Sequence, residues 1–322
     1  MKNKISQFAV AALFSLAAVT ANAAVCNSGA TLTSSLIISS GCDGASSSPL
    51  KISTGASLTV ASGVTISNSG SNRNGDPISV LTNTTSSNIT NNGTISTSNQ
   101  FAININSNAT VNNLTNFGTI NGTQRRGIVN AGTGTINTLT NVGTIFGGSD
   151  KGITSDGVIS TLNNLQGMGN AKGALGITRV LPLNYNVIIN NPSTYGQLLY
   201  AEKRTGTMDF DIYGNAGTTL VNGIAASNVA ARTYESVLQG FVGTLSGSTI
   251  TGTDVLYSIT NATGLYNGFN YSLVANPLVS GNWDLVFSTA VNPVPESDTS
   301  AMLLMGAGVM GFMARRRKQV AA

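Results

Sequence analysis

Leu114-Thr115-Asn116-Phe117-Gly118-Thr119-Ile120 returns 25 residues later as Leu139-Thr140-Asn141-Val142-Gly143-Thr144-Ile145. Working outward, Ile78, Ile103, Ile128 and Ile153 keep the same interval, as do Gly93, Gly118 and Gly143, and Thr with Ile95, Ile120 or Ile145 follows each glycine. Leu162-Asn163-Asn164-Leu165 is a degenerate further copy that arrives two residues early. A constant period with three short apolar clusters per copy marks a solenoid over residues 61–169. Its residue types are β-branched and polar in alternation, broken by glycine, with no 3.6-residue period, so each copy reads as one coil of an all-β fold. The expected architecture is a right-handed parallel β-helix. In one coil, a strand at Ile103 is followed by a second through Val111 and Leu114 and a third at Gly118-Thr119-Ile120. Stacked coils bring like residues into columns about 4.8 Å apart. Asn91, Asn116, Asn141 and Asn164 should then form a ladder whose side-chain amides bond coil to coil. A disordered Asn/Ser/Thr/Gly linker is the competing reading, and the fixed spacing of the isoleucines argues against it.

Composition narrows the function. Among 322 residues there is no histidine, which removes Ser-His-Asp and Cys-His catalysis and His-ligated zinc. Charged residues make up 9%, and the formal charge of +4 sits in the tails. Six of 16 basic residues are Lys2, Lys4, Arg315, Arg316, Arg317 and Lys318, and one of 12 acidic residues is Asp298. The body therefore holds 10 basic residues against 11 acidic ones, with no basic surplus for nucleic acid.

The N-terminus reads as an export signal over residues 1–23: Lys2 and Lys4, an apolar run from Phe8 to Val19, and Ala21-Asn22-Ala23 for cleavage ahead of Ala24. Val25 before Cys26 does not suit lipid attachment. Residues 24–60 read as an N-terminal cap stapled by a disulfide between Cys26 and Cys42, the only cysteines. A reactive thiol or metal site is the lesser alternative.

At the other end, Val294-Pro295-Glu296-Ser297 precedes an uncharged run over residues 301–314 and the cluster Arg315-Arg316-Arg317-Lys318. A helix over that run is about 21 Å long, short of the roughly 30 Å hydrocarbon layer, so the cations must snorkel and hold that end in the cytoplasm. These three elements resemble the PEP-CTERM sorting tail, over residues 291–322. Val294, Pro295 and Glu296 match its motif, and Ser297 stands where members usually carry proline. The resemblance implies a protein of a Gram-negative cell, held transiently in the inner membrane. An exosortase, a membrane transpeptidase, would recognise it and release it toward the surface or an exopolysaccharide matrix. The chain is then a substrate and not an enzyme.

Composition shifts near residue 170: all eight tyrosines and the one tryptophan lie between Tyr185 and Trp283. Residues 170–290 read as an aromatic-rich β region continuing or capping the solenoid. Within it, Tyr234 to Gly247 and Tyr257 to Phe287 loosely resemble the end of autotransporter passenger domains. Asp209 and Asp211 alternate with Met208, Phe210 and Ile212 and share one strand face. Paired carboxylates there suit glycoside hydrolysis or calcium, but a solvated strand face is the simpler reading. Asp254 and Asp284 stand alone, and Arg125-Arg126 and Lys203-Arg204 fit exposed turns. Gly167-Met168-Gly169 reads as a hinge between the two β regions. Asn83, Asn88, Asn92, Asn108, Asn113, Asn121, Asn261 and Asn270 head Asn-x-Ser/Thr sequons, each weak on its own. The expected function is a structural or adhesive surface protein that meets sugars and carries no cofactor. The alternative is a β-helical polysaccharide-degrading enzyme using Asp209 and Asp211.

Overall fold

The computed structural model describes residues 19–21, 29–43, 50–68, 76–148, 151–203, 205–215, 229–253 and 255–289. Among these the secondary structure is β. Each coil runs through a first, a second and a third face, and strands stack in parallel on the coil before, giving a β-solenoid of about six turns. The coil expected from the repeat is present as Phe101–Ile105, Thr110–Asn116 and Thr119–Gly122.

The core consists of inward columns. Ile78, Ile103, Ile128 and Ile153 pair in sequence on the first face, with Leu50 before them and Ile177 after. On the third face Cys42, Ile66, Ile95, Ile120 and Ile145 make the equivalent column. On the second face the column is Leu36, Leu58, Ile89, Leu114, Leu139, Leu162, Tyr185 and Phe210. All but the outermost of these side chains are almost fully buried, and alternation along the strand points their neighbours the other way. Parallel stacking thus continues on both sides of residues 61–169. The flanking coils escape a fixed period because their lengths differ: the second-face column advances by 22, 31, 25, 25, 23, 23 and 25 residues.

Glycine at 118 and 143 follows from this stacking. A Cβ on Gly118 would lie 1.9 Å from the Gly93 carbonyl oxygen, and one on Gly143 would lie 2.0 Å from that of Gly118. The corner between the second and third faces brings backbone against backbone, so no side chain fits there.

Gly167-Met168-Gly169 is not a hinge. Gly167–Met168 pairs antiparallel with Tyr195 and Gly196 in a small three-stranded sheet, while the first and second faces run on past it without interruption. Beyond Ile212 the two long sheets end in antiparallel strands. Trp283–Thr289 pairs with Thr233–Gln239 and Phe269–Ala275 on one, and Thr249–Gly252 with Gly243–Ser246 and Tyr257–Thr260 on the other. The aromatics pack at this end: Tyr200 stacks on Phe241 with centroids 5.3 Å apart, Tyr234 meets Phe287 edge-on at 5.7 Å, and Trp283 Nε1 donates to the Phe241 carbonyl at 2.7 Å. This is the aromatic-rich cap anticipated from composition.

Val19–Ala21 lies in parallel against Leu36–Ile38 at the other end. The rest of the export signal, Ala23, Ala24, Cys26, and the C-terminal tail with Val294, Pro295, Glu296 and Arg315 to Lys318 lie outside the described residues. No helix among the described residues is long and apolar enough to cross a membrane.

Candidate functional site

The asparagine ladder is the most regular polar feature of the interior. Asn91 Nδ2 donates to Asn116 Oδ1 at 2.8 Å, Asn116 to Asn141 at 2.9 Å, and Asn141 to Asn164 at 3.1 Å. All four are fully buried. Each amide also ties its corner: Asn91 Nδ2 reaches the Thr119 carbonyl at 3.1 Å and Asn116 Nδ2 that of Thr144 at 3.2 Å. One residue type repeated down the stack pairs these four buried amides without charge, whereas stacked carboxylates would repel.

The ladder ends on a residue the sequence did not single out. The third face stops at Thr144–Gly147, leaving Ile145 without a following strand. The buried Gln166 amide takes its place: Oε1 accepts the Ile145 N–H at 2.7 Å and Nε2 donates to the Ile145 carbonyl at 3.2 Å, while Asn141 Nδ2 also reaches Oε1 at 3.1 Å. Gln166 stands one full period of 25 after Asn141, but the change from asparagine to glutamine and the neighbouring Asn164 hide it in the sequence.

The outer surface carries the polar columns. Ser57, Asn88, Asn113, Thr138, Thr161 and Asn184 follow one another on the second face, beside Thr59, Thr90 and Thr115, a column that becomes buried at Thr140 and Asn163. Thr65, Thr94, Thr119 and Thr144 do so on the third. Some of these amides bond along the column: Asn113 donates to Asn88 at 3.0 Å and Asn137 to Asn112 at 3.1 Å. The result is a neutral array of hydroxyls and amides at strand spacing.

Asp209 and Asp211 continue that surface, opposite Asn184 and Asn186. Met208, Phe210 and Ile212 between them are buried, and both acids are partly exposed. Asp209 accepts the Thr260 hydroxyl. Asp211 Oδ1 accepts the Ile212 N–H at 2.7 Å and Asn215 Nδ2 at 2.8 Å. The two share a face, as the alternation requires, yet each is engaged by a neighbour on its own side. Asp284 departs from its reading as an isolated acid. It is buried, accepts the Ser236 N–H at 2.7 Å, and takes both Asn276 hydrogen bonds at 2.9 and 3.1 Å. That carboxylate holds a bulge where Ser236 has φ of 52°. Arg126 likewise opens a strand, Arg126–Asn130, and is not a turn residue.

Residues 293–318 match the PEP-CTERM protein-sorting motif. The chain carries an exosortase sorting signal. No curated protein and no solved structure matches the chain. The PEP-CTERM motif marks an exported protein of a Gram-negative bacterium that passes through a membrane-anchored intermediate and is processed by exosortase, a membrane enzyme. The β-solenoid is what that signal delivers.

Proposed function

We propose that the PEP-CTERM protein is a non-catalytic surface or matrix component, structural or adhesive, that contacts exopolysaccharide through the sides of its rod. The observation that carries this reading is the run of outward hydroxyl and amide columns on the second and third faces. A polysaccharide is itself a repeating array of hydroxyls. A stiff neutral partner of similar periodicity meets it through many weak hydrogen bonds, each modest but summing along the chain. In this reading the export signal is cut after Ala23 and a Cys26–Cys42 bridge staples the leading coil. Cys42 sits at the head of the third-face column, where such a bridge would tie the chain's start to the stack.

Cell fractionation tests the sorting half. The protein should reach the surface or medium in the parent and stay with the inner membrane when exosortase is deleted; surface display in the deletion strain contradicts it. Co-sedimentation with the cell's own exopolysaccharide tests the contact half, and a protein left wholly in the supernatant contradicts that. The non-catalytic reading predicts no polymer cleavage by the wild type. Turnover that disappears in the Asp209→Asn, Asp211→Asn double variant would establish an enzyme instead.

A further inference from the structure

The charges of this sparsely charged body gather on the first face. Arg125, Arg126 and Arg179 line a cavity of about 320 Å³ together with Phe101, Val129 and Thr154. Arg126 stands beside Phe101 in the sheet, and Val129 beside Thr154. Arg126 Nε donates to Thr154 Oγ1 at 2.6 Å, and its Nη1 to the Arg125 carbonyl at 3.2 Å. The Arg125 guanidinium lies 5.7 Å from the centre of the Phe101 ring. Thr154 and Thr178 share a hydrogen bond at 2.8 Å along the floor.

The acids around this cleft are already committed. Asp156 pairs with Arg179, and Glu202 with Lys151 at 2.7 Å. Asp76 accepts the Phe101 N–H at 3.2 Å and Asn104 Nδ2 at 2.9 Å. Among the described residues neither Arg125 nor Arg126 has a carboxylate within ion-pair distance. Burial is the first cause that lowers the Arg126 pKa; Glu202 opposes it, and the Arg179 and Arg125 charges add to it. A guanidinium stays protonated under such pressure, so the cleft presents two guanidiniums without ion-pair partners, offset only in part by the nearby Asp76 and Glu202 charges.

The backbone is bent to build it. Leu32, Ile52, Val80, Ile105, Asn130 and Ser155 form an inward column on the first face, and Arg179 is next in register. An arginine has no place in that core. Arg179 instead adopts φ of 76°, next to a register shift between Ile177 and Thr178, and its side chain reaches the cleft. A bulky residue at positive φ is strained, and strain and bulges of this kind gather where a side chain must be re-aimed.

We propose that this cleft binds the carboxylate of an acidic sugar unit, with the Arg126 and Arg125 guanidiniums on the carboxylate, the Phe101 ring under the sugar's C–H face and Thr154 at a hydroxyl. The proposal names the ligand class within the glycan-contact reading and rests on it. A planar fork matches a carboxylate in two hydrogen bonds, and the cavity is of the size that takes a single ring. Nucleic acid does not fit, because the body has no basic track beyond this spot to follow further phosphates.

Calorimetric titration of the folded protein with galacturonic-acid oligomers tests it, with their methyl esters, dextran sulfate and a neutral glucan as comparison probes. The acid oligomer should bind, and the methyl ester, alike in shape but uncharged, should bind about ten- to a hundredfold more weakly. Arg126→Ala should lose a similar factor. Arg125→Ala, which leaves the Arg126–Thr154 bond in place, should lose less and guards against a fold defect in the first variant. Equal affinity of Arg126→Ala and wild type for the acid oligomer overturns the site, as does dextran sulfate binding that neither variant weakens while the acid oligomer fails to bind. A wild type that binds the neutral glucan but not the acid oligomer overturns this cleft and leaves the broader reading standing. A wild type that binds none of these glycans overturns this cleft, and co-sedimentation with the cell's own exopolysaccharide then decides the broader reading.

Discussion

Asn116 is donor and acceptor at once: it takes the Asn91 amide, gives to Asn141, and reaches the Gly118 and Thr144 carbonyls. Asn116→Ala strands buried groups on both neighbours, and each orphan costs about 1–3 kcal/mol. The variant should unfold at lower urea concentration by the equivalent of about 2–4 kcal/mol; a loss under about 0.5 kcal/mol means the ladder is ornamental. Gln166→Leu keeps the volume but removes the substitute for a missing strand, orphaning the Ile145 N–H and carbonyl, and a cost of the same size is expected by the same measurement. The first of these was legible in the sequence because a ladder needs one residue at a near-constant interval, and Asn91, Asn116 and Asn141 supply it at 25 residues, with Asn164 two residues early. Gln166, Arg179 and Asp284 were not. Their roles depend on partners brought in by folding, and Asp284 holds a backbone 48 positions away.

At the scale of one coil, the unit is interchangeable. Residues 94–118 span one period of 25, so their deletion joins Gly93 to Thr119 and leaves every inward column in step, with Ile128 on Ile78 and Asn141 on Asn91. That variant should fold, with the same circular dichroism per residue and a stability reduced by about one coil's interface. A deletion one residue shorter leaves an extra residue at the Gly93 junction, where the corner brings backbone against backbone, and it should unfold at lower urea than the 25-residue deletion. Equal urea transitions for the two would contradict the register. The same logic explains what the sequence showed of the solenoid and what it hid. Coils of equal length announce themselves as a period, while steps of 22 and 31 residues do not, although their Leu36, Leu58 and Ile89 sit in the same column.

For the molecule as a whole, nearly neutral faces and an aromatic end govern the response to pH. Burial raises the phenols of Tyr185, Tyr195, Tyr213 and Tyr271, the last to about 12 with help from the Asp211 charge. The folded protein holds these protons more tightly than the unfolded chain, whose tyrosines titrate near 10. Stability from this source is therefore complete below about pH 10 and is lost as pH climbs through the folded values. The urea midpoint should fall between about pH 10 and 12, and a flat profile there would show the cap to be open. Sorting and surface contact both presuppose that the chain delivered by its PEP-CTERM signal is a straight stack of coils. Spin labels on the second-face column report that directly, at Ser57 with Thr138 and at Ser57 with Asn184, three and five strands apart. Narrow distance distributions near 14 and 24 Å, in the ratio of the strand count at about 4.8 Å per strand, are the predicted result. Broad distributions, or distances that do not grow with the number of coils, would contradict the stack.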